Sequence, residues 1–157
     1  MRLEYFQLID RIVDLNLVDR TISSEANVPI DSTIFEGHFP GYPLMPGVLL
    51  VEAMAQTSGW LVVAMNRFER MAFLAQVKDA KFRTFVTPGQ NMAIKAHVVH
   101  EGSGYAITEA SISIDGKLVC DASLTLRVLN FPNEEVSLRM RETAARVGFP
   151  SEVPANG

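Results

Sequence analysis

The chain has 157 residues, 48% of them hydrophobic and 20% charged, with a formal net charge of -4. That length suits one domain with a short appendage and can bury a core without staples; the balance excludes a disordered chain and argues against a general nucleic-acid binder. The single cysteine, Cys120, excludes an internal disulfide and fits a reducing, cytoplasmic setting.

The N-terminus, MRLEYFQLIDR, carries acidic residues and no long apolar run, so no signal peptide is expected. Phe6–Leu15 and Thr21–Val28 are expected as two strands separated by a polar turn. From Gly37 to Gly47, three prolines and three glycines exclude regular structure. Val48–Phe68, rich in Leu, Ala and Met, is expected as one long helix with Pro46 just before it, where a missing N–H costs nothing. Leu44 to Met65 is nearly long enough to span a bilayer. Glu52, Gln56, Thr57 and Ser58 lie within it, however, and a lone carboxylate is expensive in lipid, so a buried helix with no membrane span is expected.

Four strands follow. Met71–Phe82 is the first, closed by the turn at Pro88-Gly89, and Met92, Ile94, Ala96 and Val98 share one face of the second. Glu101-Gly102-Ser103-Gly104 leads to Tyr105–Ile114, where Ala106, Ala110, Ile112 and Ile114 share a face. Asp115-Gly116 is a hairpin signal, because type I′ turns need positive φ. In Lys117–Val128, Leu118, Cys120, Ala122, Leu124, Leu126 and Val128 are expected to face the core. Pro132-Asn133-Glu134-Glu135 reads as a helix start with Arg139, Arg141 and Arg146 in later turns, and Ser151–Gly157 is expected to fray. One apolar helix among about six antiparallel strands is an α+β arrangement, a sheet wrapped around a central helix: the hot-dog fold. Residues 1–129 would form that domain and 130–157 a helical extension and tail.

The chemistry gathers between Gly37 and Gln56. His38 sits on a loop stiffened by its prolines, and imidazole is a natural base near neutrality. Glu52 lies just over one turn into the helix among Val48, Leu49, Val51 and Ala55; burial favours a neutral carboxyl able to donate a proton. The first helical N–H groups, at Gly47 and Val48, lack intrahelical acceptors and can polarise a thioester carbonyl. Base, acid and oxyanion site are what loss of water from a 3-hydroxyacyl thioester requires. Each residue also has a plainer reading: a loop histidine taken alone is more often structural, and Gln56, at i+4, can simply satisfy Glu52. His97 and His100 are expected to be structural, and Cys120 buried and inert. No nucleotide fingerprint or metal-ligand spacing is present, so neither cofactor nor metal is expected.

The stretch Gly37–Gln56 resembles the active-site motif of the bacterial β-hydroxyacyl-acyl-carrier-protein dehydratases of Z type, and the likeness extends to Lys81-Phe82-Arg83 and Pro88-Gly89. The resemblance implies dehydration of (3R)-3-hydroxyacyl-acyl-carrier-protein to the trans-2-enoyl product, in fatty acid or lipid A-type acyl-chain synthesis. It implies His38 and Glu52 as the catalytic pair, contributed by opposite subunits of a homodimer or dimer-based oligomer. It assigns the oxyanion amide to Gly47 and an active-site glutamine to Gln56. The implied partner is an acyl carrier protein bearing phosphopantetheine-linked substrate; Lys78, Lys81 and Arg83 form a basic cluster that could dock it. Asp at the position of Glu52 marks the isomerising relatives, so simple dehydration is favoured. Three departures stand out: Tyr5–Ile12 lacks the usual Pro-His-Arg-Tyr-Pro, Gln90 replaces an acidic residue, and the tail after Asn130 is long. The competing readings are a hot-dog thioesterase, which attacks with water, and a non-catalytic acyl-binding module.

Overall fold

The structure is a computed structural model and describes residues 1–150; the expected frayed tail, Ser151–Gly157, lies outside the described residues. In chain order it has β1 (Arg11–Asn16), β2 (Thr21–Asn27), α1 (Thr33–Gly37), α2 (Gly47–Met65), β3 (Arg70–Phe82), β4 (Asn91–Gly102), β5 (Tyr105–Ile114), β6 (Lys117–Asn130) and α3 (Glu134–Arg146). The six strands form one antiparallel sheet in the order β1-β2-β4-β5-β6-β3, which curls around α2 as expected of a hot-dog fold.

Alternation explains the packing. Met92, Ile94 and Ala96 of β4, and Ala110 and Ile112 of β5, point inward and join Met54 and Leu61 of α2 in one buried cluster, while Ala106 of β5 packs with Val62 of α2. α2 is long and apolar enough to cross a membrane, yet 61% of that span is buried inside the fold. Its hydroxyls find partners there. Thr57 Oγ1 lies 2.7 Å from Ser24 Oγ of β2 and donates to Ala53 O, while Thr108 of β5 donates to Ser58 Oγ at 2.8 Å. Paired this way, polar groups stay in the core without the cost of an unmade bond.

The structure corrects two boundaries and one inward-facing position. The expected strand Phe6–Leu15 begins only at Arg11, because Leu3–Tyr5 forms a 3-10 turn and Phe6 takes a left-handed conformation (φ 53°) that reverses the chain. The expected helix Val48–Phe68 stops at Met65, where the Asn66 side chain donates to Val62 O and Arg67 and Phe68 turn left-handed. In β6 a register shift opposite Ile112/Ser113 buries Val119 in place of Leu118, which is exposed. α1 was not anticipated at all.

β3 is a 13-residue edge strand with Phe73, Leu74, Val77 and Phe82 exposed along it. A long apolar edge with free backbone groups is a template for another strand.

Candidate active site

α1 delivers His38. Ser32 caps α1 by accepting from Ile34 N, and Glu4 holds the same end, accepting from Ser32 Oγ at 2.6 Å and from Thr33 N and Oγ1. The Ser32 bond, followed by the backbone and Thr33 bonds, pulls the Glu4 carboxyl down to about 2. His38 closes α1 with its N–H on Ile34 O, and its peptide to Phe39 is cis. Its ring stacks on Phe39, centroids 4.1 Å apart, and its Nδ1 lies 2.9 Å from Leu44 O. A carbonyl can only accept, so Nδ1 carries the proton and Nε2 keeps its lone pair for the substrate. The loop is pinned from Leu44 N to His38 O and from Met45 N to Val86 O. This supplies the rigidity that the prolines suggest.

The loop runs directly into α2. Pro46 precedes its first turn with no side-chain cap, so the N–H groups of Gly47 and Val48 have no acceptor among the described residues. A Cβ on Gly47 would sit 3.2 Å from the Phe82 ring, so glycine lets β3 approach this turn. One turn on, Glu52 is half-buried within the protomer, less enclosed than its apolar neighbours suggested, because Val48 is exposed. Its Oε1 accepts from Gln56 Nε2 at 3.1 Å. Gln56 in turn donates to Phe6 O at 2.7 Å and accepts from Leu8 N at 3.2 Å. The N-terminal turn that replaces the expected strand thus grips the glutamine beside the acid. Sequence reasoning missed this grip, and nothing in residues 5–8 signals it.

Within one protomer no hydrogen bond joins His38 to Glu52. Glu52 opens instead on a cleft of about 370 Å³ between the N-terminal turn, α2, β3 and α3, whose lining does not include His38.

The remaining candidates separate. Lys78 and Lys81 are exposed on either side of a bulge containing left-handed Asp79, but Arg83 is paired with Asp121 at 2.6 Å, so its charge is largely offset. His100 contacts Tyr105 Oη at 3.1 Å; His97, on the outer face, has Glu109 across the ladder. Cys120 is fully buried, and burial pushes its thiol up to about 11. Gln90 is structural: its Oε1 accepts from Thr87 N and shapes the turn after Val86. Among the described residues no group of three or more His, Cys, Asp or Glu could hold a metal.

Sheet, enclosed helix, histidine loop and bare helix N-terminus together define a hot-dog protein. Residues 2–123 match the FabA-like domain family. The chain is 37% identical over 121 residues to the 3-hydroxyacyl-(acyl-carrier-protein) dehydratase FabZ of Lactococcus lactis, covering 76% of this chain and 83% of that one. It is 40% identical over 130 residues to the bifunctional enzyme LpxC/FabZ of Chlorobaculum tepidum, 82% of this chain but 28% of the larger protein. The chain belongs to the FabA-like family of 3-hydroxyacyl-acyl-carrier-protein dehydratases. Among solved structures, the dehydratase heterocomplex ApeI:P of Xenorhabdus doucetiae shares the fold at TM-score 0.63 and 17% identity, covering 87% of this chain and 90% of that one.

Proposed function

We propose that a homodimer of this chain dehydrates 3-hydroxyacyl-acyl-carrier-protein in fatty acid biosynthesis, each site combining His38 of one protomer with Glu52 of the other. His38 Nε2 takes the C2 proton while the Gly47 or Val48 N–H stabilises the enolate-like carbonyl oxygen. Glu52 acts as the general acid: a proton passes from its carboxyl to the 3-hydroxyl, water leaves, and the C2–C3 double bond forms. Gln56 positions Glu52. Lys78 and Lys81 face an acidic carrier, and residues from 130 onward extend the dehydratase domain of 1–129.

The observation that carries this reading is the orientation of His38: Nδ1 is tied to Leu44 O, Nε2 is left as base, and Glu52 lies on a separate cleft. The exposed apolar edge of β3 is a surface on which two protomers can join. Incubation with a 3-hydroxyacyl-carrier thioester should yield the enoyl thioester; free thiol would indicate a thioesterase, and no product a binding module. His38→Ala and Glu52→Gln should each lose about 10²–10⁴ in rate while staying folded. Mixing the two variants under subunit exchange should restore activity. Near-wild-type turnover by either variant removes that residue, and no recovery on mixing refutes the shared site.

A further inference from the structure

The family match ends at residue 123, yet the chain continues into α3, whose C-terminal end is anchored on the fold. Val147, at its C-terminal cap, is fully buried, and its carbonyl accepts from Ile12 N at 2.7 Å. The Phe68 ring stacks on Phe131 and meets Phe149 edge-on at 5.5 Å, with the Arg141 guanidinium 4.6 Å over it. Trp60 of α2 packs 5.5 Å from Phe149. This aromatic cluster fixes α3 as a wall of the cleft that begins at Glu52.

That cleft follows one face of α2 from Glu52 past Gln56 and Gly59 to Trp60 and Val63. At 1.5 Å per residue this path spans roughly 16 Å. Its volume, about 370 Å³, lies within the range of small-molecule sites. Along α2 the lining changes from a carboxylate and an amide to a glycine and then to aromatic and aliphatic side chains, while α3 contributes Thr143 and Arg146 beside Met140. A Cβ placed on Gly59 would meet nothing within 4 Å, so the helix surface is open at mid-cleft. Met140, half-buried on α3, lines the cleft with Trp60.

We infer that Met140 of α3, which lines this cleft together with Trp60, is a specificity-determining residue that limits the length of the acyl tail the site accepts. This rests on Glu52 being the acid of the site. The apolar face that α2 presents beyond Gln56 favours a hydrocarbon chain over a polar ligand.

The test compares kcat/KM for 3-hydroxyhexadecanoyl and 3-hydroxybutyryl carrier thioesters in the wild-type dimer and in two variants. Gly59→Leu places a plug in open space and should lower the long-to-short ratio tenfold or more, the scale on which apolar pockets discriminate by size. Met140→Ala should raise the same ratio. If the cleft instead receives the partner subunit, Gly59→Leu will weaken the dimer in sedimentation, Met140→Ala will leave the ratio unmoved, and the inference falls. It falls equally if both variants remain dimeric with an unchanged ratio. A wild-type protein that forms no enoyl product from either thioester would instead overturn the reading of the site itself.

Discussion

Replacing Gln56 with Leu keeps the side chain about the same size but removes three hydrogen bonds: from Leu8 N, to Phe6 O and to Glu52 Oε1. A net hydrogen bond contributes about 0.5–1.5 kcal/mol, and water can reach the freed groups at this half-buried position. The expected loss is therefore about 2–3 kcal/mol, or roughly 5–10 °C in Tm for a chain of this size. The chemical effect should be larger in proportion. Without Gln56 the Glu52 carboxyl has no hydrogen-bond partner among the described residues to fix its rotamer, and a displacement of about 1 Å can cost on the order of 10²-fold in rate. A thermal melt followed by circular dichroism, beside a dehydration assay at saturating substrate, separates the two effects. The fall should appear in kcat more than in KM, since Gln56 acts through Glu52. Gln56→Glu sharpens the comparison: it keeps an acceptor for Leu8 N but loses the donors to Phe6 O and Glu52, and sets two carboxyls side by side. Its activity should fall as well, with a displaced acid limb in the pH profile. A Gln56→Leu protein with unchanged Tm and full kcat would refute the positioning argument.

Gly47→Val should place a branched side chain against the Phe82 ring, where even a Cβ sits at 3.2 Å, and screen the first amides of α2. Loss of an oxyanion donor predicts a 10²–10³-fold drop in kcat in steady-state assays, with the protein still folded because Phe82 is half exposed and can move. Cys120 should resist iodoacetamide at pH 8 in the native protein and react promptly after unfolding, as followed by mass spectrometry. Because burial raises its folded value from 9.0 to about 11, the stabilisation tied to the neutral thiol is complete below pH 9 and is lost as pH rises toward about 11.

Much of this fold was legible because period-2 alternation reports burial directly. Met92, Ile94 and Ala96 face inward as their spacing requires, and Asp115-Gly116 turns with both residues at positive φ. The long apolar run around Glu52 reads as a helix because it is too long and too Ala- and Leu-rich for a strand. What failed was long-range or local-override physics. Leu118 loses its inward place to Val119 through a bulge, and Phe6 breaks a strand pattern by turning left-handed. Arg83 looked available on charge alone until Asp121, 38 residues away in sequence, proved to hold it. The motif placed His38, Gly47, Glu52 and Gln56 on one continuous loop and helix, but nothing in their spacing revealed which way each side chain opens. Nor does the tail's amphipathic pattern indicate that Met140 lines the same cleft as Glu52.

The segment before β1 supports both halves of the candidate site. Glu4 grips the start of α1, which is capped at its other end by His38; two and four residues further on, Phe6 O and Leu8 N grip Gln56 beside Glu52. Gln56 is bound by main-chain atoms, so that grip depends on the path of the turn rather than on its side chains, and a different sequence can take the same path. Phe6 holds that path by its left-handed turn, closed by the Arg2–Gln7 backbone bonds. Glu4, a side-chain anchor, is the exception: its bonds to Ser32 and Thr33 keep it ionised well below its ordinary value of 4.5, so its hold on α1 is complete above that pH and is lost as pH falls through about 2. If each site takes its base from one protomer and its acid from the other, this short turn touches the supports of both. Disorder within it would then weaken the base of one site and the acid of the next together, which couples the two sites of the dimer through residues that contact neither substrate.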